Sequence, residues 1–248
     1  MCAFFYGMLV KLQNPGLLSR VIEIISELVM EVRVKVNDSG LSITAMDPAN
    51  VSLVKFVLPK SAFSAFETGE EVLGINLDNL KRILKRSGPS SSLILEKKDN
   101  VLNIQIQDRI KRNFNLSLIE IESEEKEMPD LEFSSVIELN SMDFVDSIED
   151  CVVVSDACSF IVKDGKFIIE AKGLNSAMSE FSGDEAKINA ENCKSRYSLE
   201  YLQKFVKASK LSDRTLLKFA NDHPLRIDIK SNLMELSFLL APRVETED

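Results

Sequence analysis

The sequence predicts an α+β fold built twice, as two similar domains of antiparallel sheet with helices on one face. Three observations carry this. Leu77, Leu80, Ile83 and Leu84 share one helical face in L-D-N-L-K-R-I-L-K-R, and Lys81, Arg82, Lys85 and Arg86 fill the adjoining one. The same design returns at Leu199, Leu202, Phe205 and Val206, with Lys204 and Lys207 standing where Arg82 and Lys85 stood. Other elements recur at nearly the same offset, between 122 and 125 positions, which marks an internal duplication.

In chain order, residues 1–11 read as a first strand. Asn14-Pro15-Gly16 opens a helix with an apolar face of Leu18, Val21, Ile22, Ile25, Leu28 and Val29. Val32, Val34 and Val36 alternate with charged residues, which predicts a half-buried strand. Asn37-Asp38-Ser39-Gly40 turns the chain, and residues 41–46 return as the partner strand. Asp47-Pro48 breaks that strand, and residues 51–58 form another. A short strand over 72–75 leads into the basic helix, which Gly88-Pro89 ends. Residues 93–96 and 101–106 form a hairpin, and 110–118 a further strand.

Residues 118–132 differ in kind. Seven acids and one Lys, with Met128-Pro129, predict an extended linker that does not pack as an element. The expected organisation is therefore an N-terminal domain over 1–117, a linker over 118–132 and a C-terminal domain over 133–248. The second half replays the first. Phe144, Val145, Ile148, Cys151 and Val152 match Val21, Ile22, Ile25, Leu28 and Val29, Gly165 answers Gly40, and Leu225, Ile227 and Ile229 answer Leu102, Ile104 and Ile106.

Charge is uneven. Residues 1–117 hold 15 Lys and Arg against 12 acids, a net of +3, and residues 118–248 hold 15 against 27, a net of −12. An acidic exterior with a local basic surface suits contact with nucleic acid through one restricted face. A charged helix face is usually only solvated; its recurrence in an acidic chain sets it apart. No apolar run reaches the roughly 20 residues of a membrane span, and the start lacks the positive segment of a signal peptide. Cys2, Cys151, Cys158 and Cys193 show no C-x-x-C spacing, and with His223 as the one histidine no zinc site is expected. His223 sits in the turn Asn221-Asp222-His223-Pro224. There is no phosphate-binding Gly-rich loop, G-x-S-x-G or histidine pair, so neither catalysis nor a cofactor is expected.

Five segments resemble one family. They are A-M-D-P-A-N-V-S-L-V at 45–54, L-K-R-I-L-K-R at 80–86, the acidic linker with Met128-Pro129, S-R-Y-S-L-E-Y-L at 195–202, and L-A-P-R-V at 240–244 before an acidic tail. In this order and at this length they are similar to the DNA sliding clamps of the proliferating cell nuclear antigen type, most of all archaeal members. The resemblance implies a pseudo-sixfold trimeric ring, homotrimeric or heterotrimeric. Its helices line a hole passed by double-stranded DNA without sequence-specific contact. It implies an archaeal cytoplasmic protein associated with DNA and no membrane. Arg20, Lys81, Arg82, Lys85, Arg86, Lys204, Lys207 and Lys210 would face the DNA.

The resemblance also implies a pocket for short peptides of DNA polymerase, flap nuclease, ligase and clamp loader. Matching positions are Met46, Asn50, Val51, Leu53, Met128, Pro224, Leu240, Ala241 and Pro242. Subunit contacts would use one edge with Arg109, Lys111, Arg112, Phe114 and Leu116, and another with Leu174, Met178 and Phe181. One departure stands out: the first helix of the second half carries Asp143, Asp146, Glu149 and Asp150 where the family usually places basic residues. Two other readings remain beside the clamp. One is a protein-interaction scaffold with no DNA role, in which DNA-dependent effects would survive loss of the basic faces. The other is a carboxylate–metal nuclease, which would nick DNA with magnesium.

Overall fold

The computed structural model describes residues 7–122 and 125–244. The chain divides into two units. The first holds Met1–Met46, Lys55–Glu127 and Asn232–Met234, and the second holds Asp47–Val54, Met128–Ser231 and Glu235–Asp248. The units are therefore not two unbroken halves. Residues 47–54 lie with the second unit although both flanking segments lie with the first.

In the first unit, β1 (Leu9–Leu12) is followed by α1 (Gly16–Ile25), β2 (Glu31–Asn37) and β3 (Gly40–Met46). β4 (Ser52–Pro59) has residues in both units. Then come β5 (Ala65–Glu67), β6 (Glu71–Asn76), α2 (Leu77–Leu84), β7 (Ser92–Lys98), β8 (Val101–Gln107) and β9 (Lys111–Ser117). Strands run in the order β5-β1-β7-β8-β9, and β6 and β3 flank β2. The pairings are antiparallel.

The expected single sheet per domain is thus two sheets, and α1 and α2 pack beneath both. Leu18, Ile22, Leu80 and Leu84 of the helices meet Val34, Ile43 and Ile75 of one sheet and Leu95 and Leu102 of the other. Two sheets are needed because each helix offers a wide apolar face that one sheet would leave partly in water. The Asn76 side chain caps α2 by accepting from the Asn79 amide at 3.1 Å, and the helix ends at Leu84, so Lys85 and Arg86 stand just past it. Gly40 lies at φ +135, and a Cβ there would strike the Leu58 carbonyl, so the expected turn works through its glycine.

The start of the linker departs from expectation. Leu118 is buried and its amide donates to the Asn100 carbonyl at 3.0 Å. The Ile119 amide donates to the Gly74 carbonyl at 3.0 Å. Gly74 admits this approach because any Cβ would collide with the Ile119 carbonyl. Arg33 donates to the Ile121 carbonyl, and Lys35 pairs with Glu125 at 2.6 Å. Acidic composition hid this packing, since the apolar Leu118 and backbone bonds do the anchoring.

In the second unit, β10 (Ser135–Asn140) leads to α3 (Ser141–Val152), β11 (Ala157–Lys163), β12 (Lys166–Lys172), β13 (Ser176–Phe181), β14 (Ala186–Ala190) and β15 (Cys193–Ser198). α4 (Leu199–Ser209), β16 (Arg214–Phe219), β17 (Leu225–Ser231) and β18 (Met234–Leu240), of which Met234 counts with the first unit, complete it. One sheet runs β13-β12-β11-β15, and the other contains β14-β10-β16-β17-β18. α3 and α4 pack against each other, as α1 and α2 do.

Phe160 is the hub of the core, with Phe144, Phe167, Tyr197 and Phe219 set edge-on around it at 6.2, 5.6, 5.3 and 5.9 Å between centroids. Asp228 is buried on β17, where Ser237 Oγ donates to it at 2.6 Å and Arg226 and Lys218 lie at 2.9 and 3.3 Å. Cys151, Cys158 and Cys193 are buried free thiols, while Cys2 and the acidic tail at 245–248 lie outside the described residues. No described helix is long and apolar enough to cross a membrane.

Candidate functional site

Each helix pair turns an apolar face to its sheets and a polar face outward. In the first unit Arg20, Arg82, Lys85 and Arg86 are exposed and Lys81 is half-buried. Residues 16–25 and 77–86 carry five cations against Glu23 and Asp78, a net of +3. Two of the cations are partly neutralised. Lys85 pairs with Glu23 at 2.6 Å, and Lys81 pairs with Asp78 at 2.7 Å and donates to Ser26 Oγ at 3.1 Å. The hydrogen bond and charge of Lys81 hold the Asp78 carboxyl below the usual carboxylate range.

The segment just past α2 is braced from below. Arg112 donates to the Arg86 carbonyl at 2.9 Å and pairs with Asp108, which also accepts from Ser91. Ser91 Oγ in turn accepts from the Gly88 amide at 2.6 Å. Sequence reading placed Arg112 at a subunit contact. Its guanidinium also bonds within its own unit, where the β8–β9 turn brings it to the segment just past α2.

The second unit's pair is electrostatically different. Residues 141–152 and 199–210 carry three lysines against Asp143, Asp146, Glu149, Asp150 and Glu200, a net of −2. Those four α3 carboxylates are exposed. Lys204 lies 3.3 Å from Glu200 and 5.2 Å above the Tyr201 ring, Lys210 lies 3.9 Å from Glu149, and Lys207 is exposed.

Of the residues expected around a peptide pocket, Met46 closes β3 in the first unit. The others lie in the second. Leu53 and Leu240 are core residues, 3% and 0% exposed, so they support the surface from below. Asn50 is exposed at φ 56, and Val51, Met128, Pro224, Ala241 and Pro242 are half-buried. The Val51 carbonyl accepts from the Ala241 amide at 2.9 Å, which joins two of the expected pocket segments.

Asp47 organises this loop. Its carboxylate accepts from the amides of Ala49, Val51 and Ser52 at 3.1, 2.8 and 2.6 Å, and from Tyr201 Oη at 2.7 Å. Burial alone would raise its pKa, yet these four donors hold it below the ordinary value. Elsewhere in the same unit, a groove of about 410 Å³ is lined by Lys194, Ser195, Arg196, Asn221, Asp222, Pro242, Arg243 and Val244. Arg243 is held by its amide on the Arg196 carbonyl at 2.7 Å and by Asp156 at 2.8 Å. Asp47, Tyr201 and the groove's cations escaped sequence reading. The Asx-type pattern Asp47-Pro48 could have pointed to Asp47; nothing local points to the others.

The expected contact strands are sheet edges. β9 ends one sheet of the first unit and β13 ends one sheet of the second. Arg109 and Lys111 are exposed, Phe114 is half-buried and Leu116 is buried. Leu174 and Met178 are exposed apolar residues at 106% and 62%, as a covered edge would require. Phe181 departs from expectation: it is 5% exposed and stacks on Phe167 at 5.7 Å, so it belongs to the core. Among the described residues, no cluster of three or more His, Cys, Asp or Glu is placed to hold a metal.

Comparison with known proteins covers residues 8–244. The N-terminal domain family of proliferating cell nuclear antigen matches residues 8–126, and the C-terminal domain family matches residues 127–244. A DNA polymerase sliding clamp of Pyrococcus horikoshii is 36% identical over 235 residues, 92% of this chain and 94% of the relative. One from Thermococcus fumicolans is 39% identical over 228 residues, 89% and 92% of the two chains. The crystal structure of proliferating cellular nuclear antigen from Entamoeba histolytica superposes with a TM-score of 0.89 at 26% identity, covering 98% of this chain and 100% of that one. Two duplicated units with paired helices, full-length domain matches and relatives above 30% identity converge: the chain belongs to the proliferating cell nuclear antigen family.

Proposed function

We propose that this chain is a DNA polymerase sliding clamp, a non-catalytic processivity factor that closes as a trimer around duplex DNA. The observation that carries the reading is the cationic helix pair of the first unit, in a chain similar along its length to proteins of that name. Clustered cations attract phosphate without reading bases, so bound protein remains free to slide. In this reading Arg20, Lys81, Arg82, Lys85 and Arg86 supply most of the attraction. Lys204, Lys207 and Lys210 offset the α3 carboxylates. The trimer joins the β9 edge of one copy to the β13 edge of the next, which removes two open strand edges.

Residues 118–132 form the connector between domains at 1–117 and 133–248. Partners, including DNA polymerase, flap nuclease, ligase and loader, dock peptides by the loop at 47–52 and the segment 240–242. Met128 adapts to them as a pliable apolar contact. Primer extension on a singly primed circle tests the reading. Adding this protein and a loader should lengthen products made at single-hit polymerase levels. Product lengths that do not change would refute it.

A further inference from the structure

Tyr201 stands at the crossing of two features that the function treats separately. Its hydroxyl donates to Asp47 Oδ2 at 2.7 Å, across 154 positions of sequence. Asp47 in turn holds the amides of Ala49, Val51 and Ser52, and so shapes the turn in which Asn50 adopts φ 56. The Tyr201 ring packs beside Phe205 at 6.3 Å between centroids. Phe205 stacks on Phe238 at 4.5 Å, and β18, which carries Phe238, runs on to Leu240 and Ala241. The Ala241 amide returns to the Val51 carbonyl at 2.9 Å. A closed circuit results: loop 47–52, Tyr201, Phe205, Phe238, Ala241 and back to Val51. Burial and the Asp47 bond push the Tyr201 hydroxyl up to about 12, so it remains a donor at any physiological pH.

We propose that Tyr201 is a positioning residue for partner-peptide binding, holding the loop 47–52 in its binding shape through Asp47. The proposal rests on the reading of that loop and residues 240–242 as the peptide site. A turn with three amides gathered on one carboxylate needs that carboxylate held still. The hydroxyl of a helix residue does so from outside the loop. A prearranged loop has less ordering left to do when peptide arrives, and affinity rises accordingly. Lys204 Nζ also lies 5.2 Å above the same ring, within reach of a cation–π contact.

The test uses the 248-residue chain and a fluorescein-labelled peptide copied from the clamp-binding segment of a DNA polymerase that works with a clamp of this family. Affinity is read by anisotropy for wild type, Tyr201→Phe, Asp47→Ala, Asp47→Asn and the Tyr201→Phe/Asp47→Ala double variant. Tyr201→Phe keeps the ring and its contacts, so the fold survives, and its thermal midpoint reports this. Affinity should fall about tenfold, the effect of one hydrogen bond to a charged acceptor. Asp47→Ala should cost more, Asp47→Asn should recover part of the loss, and the double variant should match Asp47→Ala, since both changes break one link. Equal peptide affinity for wild type and Tyr201→Phe, or losses that simply multiply in the double variant, would overturn the proposal and leave the pocket standing. A wild-type protein that fails to bind the peptide would overturn the pocket, and this proposal with it.

Discussion

Arg82 and Arg86 should matter more to DNA than Lys81 and Lys85, although all four lie on one short segment. The lysines already have partners, Asp78 and Glu23, at 2.7 and 2.6 Å. The perturbation is therefore a pair of double variants, Arg82→Ala with Arg86→Ala against Lys81→Ala with Lys85→Ala. Each lowers the helix-pair charge of the first unit from +3 to +1. Each phosphate neutralised contributes about 0.9 to the slope of log affinity against log salt. Two arginines meeting two phosphates contribute about 1.8 per engaged subunit, so a fourfold rise in salt weakens wild type about twelvefold more than the arginine variant. The lysine variant should lose less, because its ammonium groups release fewer ions when their carboxylate partners stay behind. Binding to a fluorescent duplex by anisotropy, across about 50 to 200 mM salt, measures the slope. The exposed arginine substitutions cost about 0.5 kcal/mol or less, and a thermal midpoint checks the lysine variant, because Lys81 is half-buried and bonded to Asp78 and Ser26. Equal slopes for the two variants would refute the ranking of the arginines above the lysines, and an arginine variant matching wild type would refute the assignment of this face to DNA.

Three further outcomes are expected. Light scattering during size-exclusion chromatography should give 83.4 kDa, three copies of the 27.8 kDa chain, and a concentration-independent monomer would contradict self-closure. Burial works against the charge of Asp228, yet Ser237, Arg226 and Lys218 hold its pKa below the ordinary value. Its contribution to stability is thus present above the unfolded carboxyl value, about 3.9, and lost as pH falls through the folded one. Asp228→Asn should cost about 1–3 kcal/mol in urea melts at pH 7, with the gap to wild type closing below about pH 4. Gly74→Ala should push away the Ile119 carbonyl and release the linker's start, seen as faster cleavage after Glu120 and Glu122 by a glutamate-specific protease; unchanged cleavage would show that the backbone shifts to admit the methyl.

Much of the architecture was legible in the chain because periodicity is a local property. The apolar spacing of Leu77, Leu80 and Leu84 and of Leu199, Leu202 and Phe205 places two helices, and those side chains are buried. Gly40 marked its turn through the positive φ it adopts. Other features were hidden because they depend on partners far along the chain. Leu53 and Leu240 resemble pocket residues in their motif, but burial was decided by the sheets around them. Phe181 looks like a contact residue in sequence, and only the fold gives it Phe167 as a stacking partner inside. Arg112 carries a guanidinium that could serve an interface, and only the β8–β9 turn shows that it braces the end of α2.

The sequence by itself determined the duplication, the class of fold and the family, since each is written in spacing and in runs of residue types. It also determined the contrast between helix pairs, +3 in one unit and −2 in the other, because charge needs no coordinates to be counted. Tertiary structure decided which of those charges are already engaged, as Lys85 is by Glu23 and Lys81 by Asp78. It decided that the linker's first residues lie along β6, and that Asp47 answers to Tyr201. Hydrogen bonds and ion pairs act over a few ångströms. A pair 154 positions apart therefore becomes visible only once the chain has brought its two ends to one place.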